Sequence, residues 1–547
     1  MNKRNKGVTL IALAVTIIVM LILAGVTISA LTGESGIIAQ AKKAKEASEK
    51  AKNEEKNNLA NMDAIMDAIM ENGEQSLFGR GINKPQLSDG MIPVKYNGTN
   101  WVICDEDDEE WYDYENKKWA NIMLSDGTYK QGINAEKETI VQDTELGSMF
   151  VWIPRFAYSI NKYKTQVGSA SSGEGTTQEI TNVSFLVGKT NRDINGNSYG
   201  RDYDVSETQV GSATEKIVHP AFEFGGEQLA GIWSAKFEAS MAESNNNTVT
   251  NNNTTNKTLK IVPNAESWRY IQVGNCFQNC YNMNKTNNIY GIISSTDSHL
   301  MKNNEWGAIA YLATSEYGVT PTKNDSYIEY SENGVKRYHS YSGGKGRTEG
   351  GNYKANKQQS TTGNETGIYD LNGGAWEYVA AYWDNGNGNL SGQGTNTIFA
   401  NNKLKAEYEK YWNRYEVSET EKKVMKEGLW NKDNTANNIR KNITDDRYNL
   451  MRNIKGDAMY EVINTYSYYG KKTDNSYEWG MDESYSNAQY GRTFYNDDFA
   501  LIGNCSRPFL LRGGLWWSGT IAGVFAAGGS YGSTNAGVGF RPVLVVQ

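Results

Sequence analysis

Residues 507–547 read RPFLLRGGLWWSGTIAGVFAAGGSYGSTNAGVGFRPVLVVQ. Two short frames, Arg512-Gly513-Gly514 and Gly539-Phe540-Arg541-Pro542, bracket a span of Gly, Ser and Ala with isolated aromatics. The stretch closes on an apolar run, Val543, Leu544, Val545 and Val546. β-Branched residues suit a pleated, buried surface, so the run predicts a strand that closes a core beside a surface built from loops. The paired Gly after Arg512 predicts a positive φ or a close backbone approach at a bend.

Working outward, the other end of the chain predicts where that surface is displayed. Residues 8–31 carry no charge and are apolar or small throughout. At about 1.5 Å per helical residue they are long enough for a bilayer core of roughly 30 Å. Lys3, Arg4 and Lys6 precede the run, so residues 1–7 are expected to stay cytoplasmic as a basic leader and the body to lie outside. The apolar part of a cleaved signal peptide is usually about 7–15 residues. This run is longer, and Ile28 makes a poor −3 position for cleavage after Ala30. Lys6-Gly7-Val8-Thr9-Leu10-Ile11 resembles the prepilin motif of type IV pilins and pseudopilins. The resemblance implies cleavage between Gly7 and Val8, and pilin-like subunits as partners. Ala12 stands where most of that family carries Glu. Residues 32–73 are expected to form a helical stalk rich in Ala, Lys and Glu. Leu59, Met62, Ile65, Met66, Ile69 and Met70 make an apolar stripe at helical spacing, suited to packing on the domain or to self-association.

The chain has 547 residues, a net charge of −8, fourteen Trp, thirty-four Tyr, and fifty-five Gly against eight Pro. That composition predicts a large aromatic core in a loop-rich body. Outside the leader and stalk there is no basic cluster, so nucleic acid is not an expected partner. Four Cys (104, 276, 280 and 505) and three His (219, 299 and 339) show no paired CxxC spacing, which argues against a metal site. Export permits disulfides, and four Cys leave three full pairings open.

Residues 74–140 alternate short apolar runs with polar turns, Asn97-Gly98 among them, and predict a small β module. Its aromatics, Trp101, Trp111 and Trp119 included, read as a packed face, with sugar binding as the alternative. The main domain is expected over 141–547, with insertions near 165–217, 244–258 and 400–465. Residues 149–160 predict a strand. Residues 263–283 and 297–318 predict helices, the second capped by Asn303 or Asn304. The low-complexity stretch 244–258 predicts an exposed loop.

Four segments carry a further resemblance. His219-Pro220-Ala221-Phe222 through Ala235-Lys236-Phe237-Glu238 is similar to early strands with a K-x-E pattern. His299 to Trp306 resembles a helix start of the form R-L-P-T-E-A-E-W. Gly367-Ile368-Tyr369-Asp370-Leu371-Asn372-Gly373-Gly374-Ala375-Trp376-Glu377-Tyr378 is similar to G-L-Y-D-M-S-G-N-V-W-E-W. Arg512-Gly513-Gly514 and Gly539-Phe540-Arg541 match R-G-G and G-F-R. Together they resemble the formylglycine-generating-enzyme-like branch of the C-type lectin fold, which includes the variable proteins of diversity-generating retroelements. The implied fold class is α+β: a long N-terminal transmembrane and stalk helix, a small β module, and a large C-type-lectin-like domain with irregular loops. Trp306 is expected on the buried face of its helix and Trp376 as a core plug, with Glu377 bonded to a buried backbone or Arg and Arg541 reaching inward to a carboxylate or carbonyls.

The oxidases of that branch use two Cys between R-G-G and G-F-R. Residues 515–538 contain none, so no catalysis is expected. No cofactor is expected either; a structural calcium is the ion the resemblance leaves open, and Gly374 replaces the Asn that helps to hold it. In the retroelement proteins this window contacts ligand. Here Leu515, Trp517, Ser518, Ile521, Phe525, Gly528, Ser530, Tyr531, Ser533 and Asn535 mix aromatic anchors with small polar residues, a paratope-like composition. The expected function is recognition of an extracellular protein or glycan by a single-pass protein of the cell membrane. The alternative is a structural minor pilin or pseudopilin.

Overall fold

The computed structural model describes residues 45 and 48 and, within 83–547, all but 161–180, 201–215, 243–251, 256, 322–327, 333–334, 340–351, 385–389, 417–454, 460, 463–464, 472–476, 481–488, 501–506 and 517. The chain divides into two units, Met1–Met70 and Glu71–Gln547. The leader, the Gly7–Val8 junction, the apolar run 8–31 and nearly all of the stalk lie outside the described residues. Among those described, no helix is long and apolar enough to cross a membrane. The described body is α+β, with many strands and few helices.

One sheet of eight antiparallel strands runs Thr296–Leu300, Pro542–Val546, Gly231–Ala235, Met149–Pro154, Asn121–Leu124, Met91–Tyr96, Trp101–Ile103, Ile140–Val141. Met149–Pro154 is buried at all six positions, as a short continuous apolar run suggests. The expected terminal strand, Pro542–Val546, does not sit at an edge. It pairs with Thr296–Leu300 on one side and Gly231–Ala235 on the other.

Segment 74–140 does not close on itself as a separate module. Its strand Asn121–Leu124 pairs with Met149–Pro154, placing Ile122 opposite Phe150, and the remaining strands continue the large sheet. Its aromatics therefore enter the main core. Trp111 lies 6.4 Å from Trp233, which lies 5.1 Å from Trp152. Trp101 donates to Tyr353 Oη at 2.8 Å, and Trp119 donates to the Tyr317 carbonyl at 2.9 Å. Buried indoles with satisfied N–H groups are core residues.

A second sheet has nine strands among the described residues. Its centre is Trp376–Asp384, Phe509–Gly513 and Gly523–Ser530. Val538–Phe540 and Asn413–Glu416 both pair parallel with Trp376–Asp384. So part of the expected 400–465 insertion extends this sheet, and 417–454 lies outside the described residues. Within 165–217, Thr181–Phe185 pairs with Phe156–Ile160. In the low-complexity stretch, Asn252 accepts from Trp268 Nε1 at 2.9 Å and Asn253 accepts from the Gln272 N–H at 3.0 Å.

Two helix expectations need correction. In 263–283 the α-helix covers only Val273–Tyr281, because Asn264 and Tyr270 adopt left-handed φ of 57° and 59°, which no helix tolerates. In 297–318 the first residues belong to the strand Thr296–Leu300, and the helix is Asn303–Ala313. Its N-cap is Lys302 rather than Asn303 or Asn304. The Glu305 carboxylate accepts the Lys302 backbone N–H at 2.7 Å, half of a capping-box geometry. Gly307 has to be glycine for packing: a Cβ there would meet the Gly456 carbonyl oxygen at 2.1 Å. Cys104, Cys276 and Cys280 are buried free thiols; Cys505 is outside the described residues.

Candidate functional site

The platform under the C-terminal window rests on two fully buried arginines. Phe509–Gly513 is central in its sheet, with Arg512 opposite Glu377 on one side and Ala527 on the other. Arg512 donates to the carbonyls of Ala526 (3.0 Å), Asp457 (2.8 Å), Ala458 (2.8 Å) and Val524 (3.3 Å), and to Asn303 Oδ1 at 2.8 Å. Its fork thus ties strand, helix start and the segment 455–459 together. Burial pushes its pKa down to about 10, against the raising effect of Asp457.

Arg541 meets Glu377 in a two-pronged pair, Nε to Oε2 at 2.6 Å and Nη2 to Oε1. It also donates to the carbonyls of Ala235 (3.2 Å) and Tyr369 (3.1 Å). Burial alone lowers its pKa, and the Glu377 carboxylate more than offsets it, leaving Arg541 above its ordinary value. Both guanidinium groups lie near the Trp306 ring, at 5.6 and 5.8 Å, and Trp306 Nε1 donates to the Val524 carbonyl at 2.7 Å. Phe540 is fully buried. Trp376, expected as a core plug, is only half-buried and packs against the core from outside. Gly513 and Gly514 have φ of 92° and 87°, so the bend above Arg512 is left-handed and suits glycine.

The window itself splits. At the start of the window the Leu515 N–H donates to Ser518 Oγ at 3.2 Å, and the Ser518 N–H returns to the Leu515 carbonyl at 2.9 Å. Leu515, Ser518 and Ile521 are half-buried; Trp517 is outside the described residues. Next comes the strand Gly523–Ser530, buried at every position but the last. Phe525 and Gly528, expected on the ligand surface, belong to this strand. Phe525 is 0 % exposed and packs on Phe494 at 5.5 Å and Tyr495 at 6.0 Å. Gly528 is paired on both sides, with Leu511 and Ala500. A strand covered on both faces shows no alternation, so composition alone could not separate it from the loops.

Beyond the strand the chain reaches solvent. Tyr531 is 47 % exposed, and the Arg507 guanidinium lies 4.8 Å from its ring. Thr534 and Asn535 are also exposed. Tyr378 holds this loop from below. Its hydroxyl donates to the Ser533 carbonyl at 2.7 Å and lies 3.1 Å from Ser530 Oγ. Asn535 Oδ1 accepts the Gly537 N–H at 2.8 Å, and its carbonyl accepts the Tyr270 N–H at 3.0 Å.

Sequence reasoning missed several buried groups that position this region. Lys236 Nζ donates to Asn121 Oδ1 (2.8 Å) and to the Glu365 and Gly367 carbonyls (2.7 and 2.8 Å). Glu238 accepts from Ser267 Oγ and from the Ala375 N–H at 2.7 Å; burial, then Asp370 and Glu377, raise its pKa well above the carboxylate range. Glu461 accepts from Tyr158 (2.8 Å), Tyr311 (2.6 Å) and the Gly456 N–H (2.8 Å). Burial and Asp457 push it up to about 7. The K-x-E pattern at 236–238 was a signal for the first two; Glu461 lay in a charged stretch with no distinguishing pattern. Among the described residues no group of three or more His, Cys, Asp or Glu is placed to hold a metal ion. No protein-family model matches the chain, and no curated protein matches it in sequence.

Proposed function

We propose that this protein is a membrane-anchored, pilin-like surface protein that recognises an extracellular protein or glycan through a C-type-lectin-like domain. The supporting observation is the exposed loop bearing Tyr531, Thr534 and Asn535, seated on strands locked by Arg512 and the Arg541–Glu377 pair. Rigid elements beneath adaptable loops are how binding surfaces are usually built. An exposed aromatic among Ser, Thr, Asn and Gly supplies contact area with adaptable hydrogen bonds. The anchoring rests on the uncharged run 8–31, and the pilin likeness on Lys6 to Ile11. The reading is of binding without catalysis, since residues 515–538 carry no Cys.

The test is capture of target-cell surface components by the full chain in a membrane mimetic, beside a variant carrying Trp517→Ala, Ile521→Ala and Tyr531→Ala. A partner held by the wild type and lost by the folded variant supports a receptor. Equal capture by both, or capture of pilin-like subunits alone, rejects the C-terminal site and favours an assembly component.

A further inference from the structure

The segments joined at Tyr531 carry one positive charge and no negative one. The Arg507 guanidinium lies 4.8 Å from the Tyr531 ring. Among the described residues it makes no hydrogen bond and no ion pair. Its Nε is screened from water and unmet. Nη1 and Nη2 are not so screened, and the outer edge of the fork is therefore the part that meets solvent. Residues 270–275 link the loop 531–535 to the segment 390–394. The Val273 N–H donates to the Gly532 carbonyl at 3.0 Å, and the Gly274 N–H donates to the Gln393 carbonyl at 3.0 Å. No Asp or Glu occurs in 270–275, 390–394, 501–510 or 531–535, and Arg507 is their one Lys or Arg.

A guanidinium already part-way out of water gains more from an anion than a fully hydrated one does. Its stack on Tyr531 holds the plane of the fork. That planar fork matches a carboxylate through two parallel N–H groups. Tyr531 is 47 % exposed, and Thr534 and Asn535 of the same loop are exposed. The loop's backbone is engaged: the carbonyls of Gly532, Ser533 and Asn535 accept from Val273, Tyr378 and Tyr270. The strand before it is paired on both sides. An extended peptide gains affinity by adding to a free strand edge, and this strand offers none. A sugar needs only side chains, an aromatic face to lie on and polar groups for its hydroxyls.

We infer that the surface at Arg507 and Tyr531 takes the end of a glycan that bears a carboxylate, a uronic or sialic acid. The inference rests on the receptor reading above and names the class of its ligand. The carboxylate meets the outer edge of the Arg507 fork. The sugar ring lies against Tyr531, and its hydroxyls meet the side chains of Thr534 and Asn535. An acidic peptide would supply the carboxylate but finds no strand edge to lie along.

The experiment titrates sialyllactose and trigalacturonate against the full chain in a membrane mimetic and follows saturation-transfer NMR. Lactose and the methyl ester of trigalacturonate are the neutral controls, and a peptide of alternating Gly and Glu is the rival ligand. Saturable binding is expected for at least one acid, with its neutral control about tenfold weaker or worse. Arg507→Gln should weaken the acid about tenfold. Arg507→Lys should recover only part of that, because it keeps the charge and lacks the fork. No saturation by either acid below about 10 mM, equal affinity for the neutral control, or wild-type affinity in Arg507→Gln overturns the inference. Tighter binding of the peptide that depends on Arg507 overturns it in favour of an acidic protein partner. Capture of target-cell components tells the two readings apart. Capture lost in the Trp517, Ile521 and Tyr531 triple variant but unchanged in Arg507→Gln overturns the acidic sugar and keeps the receptor. Capture unchanged in the triple variant rejects the receptor site, and this inference with it.

Discussion

The strand Gly523–Ser530 and the loop 531–535 that follows it each set a single aromatic among small residues, yet they meet different surroundings. In the strand, small residues let neighbouring backbones pair, and its one ring, Phe525, is sealed against Phe494 and Tyr495. In the loop, Gly532 is buried, and the one ring, Tyr531, stands in solvent beside Arg507. What separates them is pairing: strands lie on both sides of 523–530, whereas 531–535 is held by isolated bonds from Tyr378, Tyr270 and Val273. A single ring among small residues is therefore sealed into the core in one place and left in solvent in the other.

Four measurements can break or sharpen that contrast. The largest effect is expected from Arg541→Met, which strands the buried Glu377 carboxylate and should cost about 4–5 kcal/mol in denaturant unfolding. Adding Glu377→Leu to that variant should restore part of the loss, since the charge then has nothing left to demand. Next is Phe525→Ala, which opens a cavity in the strand layer and should cost about 3–4 kcal/mol in the same assay. A loss below about 1 kcal/mol would place Phe525 with the loops instead.

The third test uses pH on the segment that supports Arg512. The Glu461 carboxyl is pushed up to about 7 when folded, above its ordinary value. Its contribution is therefore fully present below the ordinary carboxylate range and lost as pH rises through about 7. Between about pH 5 and pH 8 the wild type should lose about 2–3 kcal/mol relative to Glu461→Gln, read from paired unfolding curves. The smallest effect on stability belongs to Tyr531→Ala, expected within about 0.5 kcal/mol, while ligand capture falls. A large stability loss there would mean that the loop is part of the frame.

The frame was legible because its residues have few interchangeable roles. Arg541 and Glu377 are charges inside apolar stretches, which demands a partner, and Gly513-Gly514 signals a bend. Trp306 was legible from the apolar face of its helix. The cap at Lys302 was not, because the bond is made by Glu305 to the backbone N–H, and any residue type can supply that group. Nor was the merger of 74–140 into the large sheet, since pairing Ile122 with Phe150 is a choice of register between two strands that each look self-sufficient. Phe525 and Gly528 were misplaced for the related reason that neighbours on both sides erase the alternation by which a strand announces itself.

The interior position of Pro542–Val546 has a consequence for synthesis. Its partner Thr296–Leu300 leaves the ribosome about 240 residues earlier, which at 5–20 residues per second is a delay of roughly 12–50 s. Throughout that interval the slot between Thr296–Leu300 and Gly231–Ala235 is vacant and lined by unpaired backbone, a ready template for the wrong strand. Reaching the native state thus depends on keeping that slot open for its late occupant.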